Sequence, residues 1–477
     1  MPGLSRAIQS LNRSAKPNSL LPRLRRTAYF NWIPACGEND ELKSRHCPAH
    51  IIIGRAIQSG VAASVTHPHR STTTKRQAQI TRRRKFMYII PIRVVNEKST
   101  MTLIKDLNPF RPGTGQFPPY LAGRENEQGR LMKILAEMSA GRSPATDMVM
   151  YGPRGMGKTV LLNWLEIEAK KASTKDNPIR TSWTTPNELT SPADLWSYLL
   201  SQDWKKRLKP NQWIAKFALL SATWESRSAA NQALVSALTN ECKKSPLIFL
   251  MDEAHTMDAG LCNGLLNLSQ EIRREAPFLL VLAGTPGLRH FLSTVNASFV
   301  ERSNVIGIAR LDAQATADAI VKPLNEHGIE IDDTTLAQVV EDSQHYPYFI
   351  QLWGAALWGV AKEEELQKLT SQEVTAAKTK VDSVRLDFYE ERKDKLDDLG
   401  LLPAAIAIAK VFQDTETTTR DTLKKVIADN LPVDSLTTQS VNEHLRTFIR
   451  HDFVWRSPQM TLYEPGIPSL MTYILDQ

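Results

Sequence analysis

Short unbroken apolar runs alternate with longer mixed stretches through the middle of the chain. The candidate strands are Met148–Tyr151, Ile179–Thr184, Leu247–Asp252, Phe278–Ala283 and Val305–Leu311, most of them such runs. A strand covered by helices on both faces reads as such a run rather than as a strict alternation. Helical stretches lie between them, so the pattern predicts a parallel, doubly wound α/β sheet over residues 101–311. From Asp312 to Glu390 the pattern reads as helix only, and "SQEVTAAKTKVDSV" forms a linker helix. This segment, 312–395, is expected as a helical lid with its linker.

The last unit, 396–477, reads differently. "LLPAAIAIAKVF", "TTTRDTLKKVIADNL" and "TTQSVNEHLRTFIRHD" each read as a helix. In the third, Val441, Leu445, Phe448 and Ile449 fall on one face. "FVWRSPQMTLY" then reads as strand, Ser-Pro turn and strand, and "GIPSLMTYIL" as a closing helix.

Charge changes the picture at the N-terminus. Residues 1–100 hold 18 Lys/Arg against 4 Asp/Glu, whereas the rest holds 41 against 47. The overall +8 thus belongs to the first hundred residues, and the body is mildly acidic. Those hundred residues lack a sustained period and are rich in Arg, Ser, Thr and Pro, which predicts a basic, disordered segment. A transit peptide, or a natural start at Met101, are the alternatives. The pentapeptide "RAIQS" occurs twice there, too little for a repeat architecture. Cys36, His46, Cys47 and His50 lack the paired spacing of a zinc site. The composition, 42% hydrophobic and 23% charged, is that of a globular protein. No apolar run reaches membrane-spanning length, and four cysteines argue for a reducing compartment, with a cytoplasmic location expected.

The first apolar run leads into Gly152-Pro153-Arg154-Gly155-Met156-Gly157-Lys158-Thr159, followed by Val160. This is GxxxxGK[ST] between a predicted strand and a predicted helix, the context the motif requires. Glycines let successive backbone N–H groups turn inward around a phosphate, and the helix N-terminus adds positive potential. Lys158 would neutralise the outer phosphates of ATP, and the Thr159 hydroxyl would ligate Mg2+. "PLIFLMDEAH" supplies the acidic partner: Asp252 to hold the magnesium and Glu253 to polarise the attacking water. The letters "DEAH" also occur in helicases. A helicase would need a second α/β nucleotide-binding domain with a Gln/Arg-rich motif, and 312–477 shows none. His255 is therefore read as local structure at the strand end.

Further stretches fall in a telling order: "FPPYLAGRENEQGRL" before the first strand, "LLVLAGTPGL", "FVERSNVIGIARL" and "HYPYFIQLWG". With the two motifs above, this order resembles the AAA+ ATPases of the origin-recognition-like, archaeal-type branch, which adjoins the STAND signalling ATPases. The resemblance implies that Gly123 and Arg124 lie near the adenine and that Thr285 is a sensor for the nucleotide-associated water. It also implies an arginine finger at Arg302 and a base contact at Pro347. No arginine falls within Tyr346–Gly354, the usual second-sensor position, which shifts the expectation toward a slow switch. Tyr346, Tyr348, Phe349, Trp353 and Trp358 are expected as lid core. The C-terminal unit resembles a winged helix. With 7 Lys/Arg against 11 Asp/Glu it forgoes much of the attraction to phosphate, though Arg446, Arg450 and Arg456 can form a basic patch. Double-stranded DNA and a protein are both open as partners, and nucleotide-dependent homo-oligomers are expected of the family. A STAND-like switch acting through protein contacts is the alternative to a hydrolysing ATPase.

Overall fold

The computed structural model describes residues 107–113, 115–189, 191–200, 229–431, 437–456 and 461–477. The expectations for residues 1–100, and the Ser-Pro turn at 457–458, lie outside the described residues.

Helix α1 (Glu125–Ser139) leads into β1 (Met148–Tyr151), α2 (Lys158–Ala172), β2 (Arg180–Thr184), α3 (Pro192–Leu199) and α4 (Ala229–Lys244). The series continues with β3 (Leu247–Met251), α5 (Ala259–Arg273), β4 (Phe278–Gly284), α6 (Gly287–Glu301) and β5 (Asn304–Gly307). The five strands are all parallel, in the order β2-β3-β4-β1-β5. Alternation along each strand splits the core between the two sheet faces. Met148, Met150, Ile248, Leu250, Leu279 and Val281 face one cluster with α1 and α2. Val149, Tyr151, Phe249, Met251, Leu280 and Leu282 face the other, with α3 to α6. Below the sheet, buried Asp147 accepts from Ser269 Oγ and from the Leu280 amide and pairs with Arg273 at 3.3 Å. It thereby pins β1, β4 and α5 together.

β5 is shorter than the apolar run Val305–Leu311 predicts. Its neighbour β1 ends at Tyr151, where the chain turns into the glycine loop, so no backbone remains to pair beyond Ile308, whose amide still donates to Tyr151 O at 2.8 Å.

The lid comprises α7 (Ala313–Glu326), β6 (Glu330–Ile331), α8 (Asp333–Asp342), α9 (Pro347–Glu363), β7 (Lys368–Leu369) and α10 (Ser371–Asp398). It is not helix only: β6 and β7 form a two-residue parallel pair that ties the chain before α8 to the chain after α9. Side-chain caps start α7 and α8, Asp312 accepting from the Ala315 amide and Asp332 from that of Thr335. The linker helix α10 extends well past Val384.

The C-terminal unit comprises α11 (Leu402–Asp414), α12 (Arg420–Asp429), α13 (Thr438–Arg450), β8 (Val454–Trp455), β9 (Glu464–Pro465) and α14 (Pro468–Leu475). β8 and β9 are antiparallel, and Thr418 bridges to Tyr463 beside them. Leu445 and Phe448 of α13 are buried, with Val441 and Ile449 packed at the margin. Among the described residues no helix is long and apolar enough to cross a membrane.

Candidate functional site

A cavity of about 670 Å³ opens at the C-terminal ends of the strands. Its floor is the loop between β1 and α2. Gly155 and Gly157 adopt φ of +81° and +88°, which side chains resist. At Gly152 the constraint is space, because a Cβ there would stand 2.3 Å from Ile308 O. Arg154, Gly155, Met156, Gly157, Lys158, Thr159 and Val160 line the cavity, and Gly152 and Pro153 lie behind them. Lys158 is buried, and its ammonium donates to the carbonyls of Gly152 and Pro153 at 2.8 Å each.

Thr159 Oγ1 donates to Asp252 Oδ2 at 2.6 Å, so the loop and the end of β3 meet as their motifs require. Glu253 stands on the cavity wall in the left-handed region, φ +51°, with its side chain 41% exposed. An apolar strand ending in two acids therefore delivers one carboxylate to Thr159 and the other to solvent in the cavity.

His255 does more than end the strand. Its Nδ1 accepts from the Thr285 amide at 3.4 Å, and its Nε2 faces Glu253 Oε2 at 3.5 Å. Burial, reinforced by Arg154 and Lys158, holds its pKa down to about 4. The ring is therefore neutral at pH 7, with its proton on Nε2 toward Glu253.

Arg124 is buried on the cavity wall. It donates to Met156 O at 3.0 Å and Ala309 O at 2.7 Å, fastening the loop to the chain that follows β5. Gly123 lies just off the wall, against Leu311 and Ala315. Pro347, the first residue of α9, lines the cavity. So does Tyr348, which stacks on Phe388 at 5.4 Å and 18°. Tyr348 is thus partly buried against the lid core while also facing the cavity, and Tyr346, Phe349, Trp353 and Trp358 are buried.

Two expected residues are not brought to the cavity. Thr285 is wholly buried at the end of β4, its hydroxyl without a hydrogen-bond partner among the described residues. Arg302 follows α6 at the opposite end of the sheet, since β5 starts at Asn304 beside Met148 while the glycine loop follows Tyr151. Its guanidinium bonds Ser298 O, Ser298 Oγ and Gln270 Oε1.

Two residues on the site carry no motif in the sequence. Arg392, from the far end of α10, lines the cavity with its guanidinium 3.5 Å from the centre of the Phe388 ring. Asp452, just after α13, is 3% exposed, with φ +60°. Its Oδ2 accepts from the Arg154 amide at 3.3 Å and lies 3.9 Å from the Arg154 guanidinium, while Oδ1 is buried without a hydrogen-bond partner among the described residues. Burial pushes its carboxyl up to about 6, against the pull of Lys158 and the Arg154 amide. Three residues on, Trp455 packs edge-on against Tyr151 at 6.4 Å. The C-terminal unit thus meets the glycine loop at Arg154 and the strand end before it at Tyr151. A lone Asp and Trp in a hairpin give no sequence signal for this.

Residues 142–292 match the family model described as an AAA domain. They form an AAA-type phosphate-loop domain, and the sheet with its flanking helices has the α/β AAA+ fold. No curated protein matches the chain. Solved structures similar to it include the Aeropyrum pernix ORC2 protein in ADPNP-ADP complexes, 14% identical with a TM-score of 0.45, covering 77% of this chain and 98% of that one. Cdc6p from Pyrobaculum aerophilum is 13% identical with a TM-score of 0.40, covering 76% and 97%. The Thermotoga maritima RuvB Holliday junction branch migration motor is 14% identical with a TM-score of 0.40, covering 74% and 95%.

Proposed function

We propose that this AAA-domain protein binds ATP with Mg2+, hydrolyses it, and uses the state of the nucleotide to control the placement of its C-terminal, winged-helix-like unit. The observation that carries the reading is the shared use of one loop. Residues 152–159 form the phosphate cradle, and Asp452 of the C-terminal unit holds that same loop at Arg154.

The donor set fits the ligand. Thr159 and Asp252 offer hard oxygens 2.6 Å apart, and magnesium keeps several waters and phosphate oxygens beside one or two protein oxygens. When bound, the ion would draw charge from the β- and γ-phosphates as the terminal bond breaks. Lys158 exchanges its two carbonyl contacts for phosphate oxygens. Glu253 takes the proton of the attacking water, and His255 fixes the carboxylate's direction through Nε2–H. Arg392, swung in on the linker helix, supplies the lid cation that the segment Tyr346–Gly354 lacks. Asp252 keeps its carboxylate for the metal. Gly123, Arg124 and Pro347 shape the end where the adenine lies.

Phosphates entering the cradle bring negative charge toward Asp452, whose unpartnered oxygen is already poorly solvated. Their arrival favours release of the C-terminal unit, and their loss favours its return. The released unit would meet duplex DNA or a protein. Arg302 stands too far from its own cavity to act there, so a finger role requires a second subunit.

A second reading, a switch that holds nucleotide and barely turns over, is favoured by the grip of Asp452 and Trp455 on the loop. Steady-state hydrolysis measured with and without duplex DNA separates the two. Turnover that Glu253→Gln abolishes supports the first reading, and tight nucleotide binding without turnover in either condition supports the second.

A further inference from the structure

A second cavity, of about 450 Å³, lies between α6 of the ATPase domain and the C-terminal helices α12 and α13. Arg420, Arg446, Arg450, His290, Phe291 and Tyr463 line it. Arg446 and Arg450 share a single carboxylate, Glu443, at 3.1 and 3.2 Å. Arg420 is exposed and makes no ion pair among the described residues. Three guanidinium groups against one carboxylate leave a strongly cationic chamber, and the planar fork of arginine matches phosphate oxygens two at a time. Phe291, Ile449 and Tyr463 give it an apolar wall, and its volume is that of an ordinary small-molecule site.

We infer that this cavity is a second ligand site, for a small phosphorylated molecule with a flat apolar part. The site is distinct from the phosphate loop and does not depend on the hydrolysis proposed there. Duplex DNA could offer the same phosphates, but the geometry disfavours it. α13 packs against α6, where a Cβ on Gly287 would stand 3.7 Å from Arg450 Cα. While the unit is docked, as in the ADP-bound state, a helix so covered cannot enter a major groove about 12 Å wide. The chamber also touches the first site. His255 lines it and faces Glu253 at 3.5 Å with its other nitrogen, and Gly287 separates Arg450 from the Thr285 hydroxyl.

Titration calorimetry on the full chain tests the assignment, with ADP first added to saturation so that the phosphate loop is taken. Inorganic pyrophosphate and each of the four nucleoside 5′-monophosphates are then titrated in turn. At least one should bind with one-to-one stoichiometry. Arg420→Glu and Arg450→Glu should each weaken that binding at least about tenfold, the loss of one charge-assisted contact, and leave ADP affinity unchanged. Arg420 is exposed, so its reversal keeps the readout meaningful if Arg450→Glu fails to fold. The assignment is overturned if no probe binds, or if binding survives the reversals. It is also overturned if a 20-base-pair duplex binds in their place and is the ligand the reversals remove.

Discussion

Lys158, Thr159, Asp252 and Glu253 each have one atom whose partner defines the site, so single substitutions should separate their roles. Lys158→Ala removes a charge-assisted phosphate contact worth about 1.5–3 kcal/mol, and should weaken ATP binding roughly 10–150-fold. It also frees two carbonyls that water can reach only from the cavity, so some loss of melting temperature is expected. Glu253→Gln should leave binding intact and lower turnover by roughly 10²–10⁴, the span of a general base. Filter binding and phosphate release measure the two. Undiminished turnover in Glu253→Gln would move the base elsewhere. These residues were legible because the glycine spacing and the apolar strand before the acids are local patterns. His255 was not, because its importance rests on a ring nitrogen meeting the amide of Thr285, thirty residues away.

At the scale of elements, the lid is tied by one carboxylate. Asp342, at the end of α8, accepts from Arg385 at 2.5 Å, Trp353 at 2.8 Å and Lys378 at 2.9 Å, joining three helices. Arg385 is buried and also donates to Asp342 O at 2.6 Å. Arg385→Ala should cost roughly 2–3 kcal/mol, since charged hydrogen bonds are lost from a buried group. A lower urea midpoint at unchanged m-value is the expected signature. Because α10 carries Arg392 to the cavity, ATP affinity should fall as well. Arg392→Ala should reproduce the affinity loss without the stability loss, and equal melting shifts in both variants would count against this division. Most strands are legible because buried apolar runs mark them, but β5 is shorter than its run suggests, because sequence does not show where its neighbour ends. Arg392 escaped notice for a similar reason. The helical pattern runs on past Val384, yet only the packing of α10 on α9 decides which of its residues reaches the nucleotide.

At the scale of the whole molecule, the ATPase domain and the C-terminal unit meet at Asp452. A carboxyl whose pKa rises on docking favours the docked state most when protonated. That contribution is full below about pH 4 and is lost as pH rises through about 6. The C-terminal unit should therefore sit more firmly at pH 5 than at pH 7.5, and Asp452→Asn should remove most of the difference. The same substitution should tighten ATP binding at pH 7.5, where the carboxylate is ionised, with a smaller gain at pH 5.5. Isothermal titration at the two pH values measures this, and an equal gain at both would mean that charge is not the cause. Arg302 also belongs to this scale. If subunits assemble, Arg302→Ala should bind ATP normally, lower turnover by roughly 10³–10⁵, and depress wild-type subunits when mixed. Simple averaging in mixtures would leave it an ordinary surface arginine.

If nucleotide at the phosphate loop moves the C-terminal unit, the segment around Asp452 must loosen when ATP replaces ADP. Hydrogen exchange in Glu253→Gln, read at the amides of residues 450–455 with ADP·Mg2+ and then with ATP·Mg2+, tests it most directly. Exchange should be slow with ADP, while Asp452 and Trp455 hold Arg154 and Tyr151, and clearly faster with ATP. Identical exchange in the two states, with ATP shown to be bound, would contradict it.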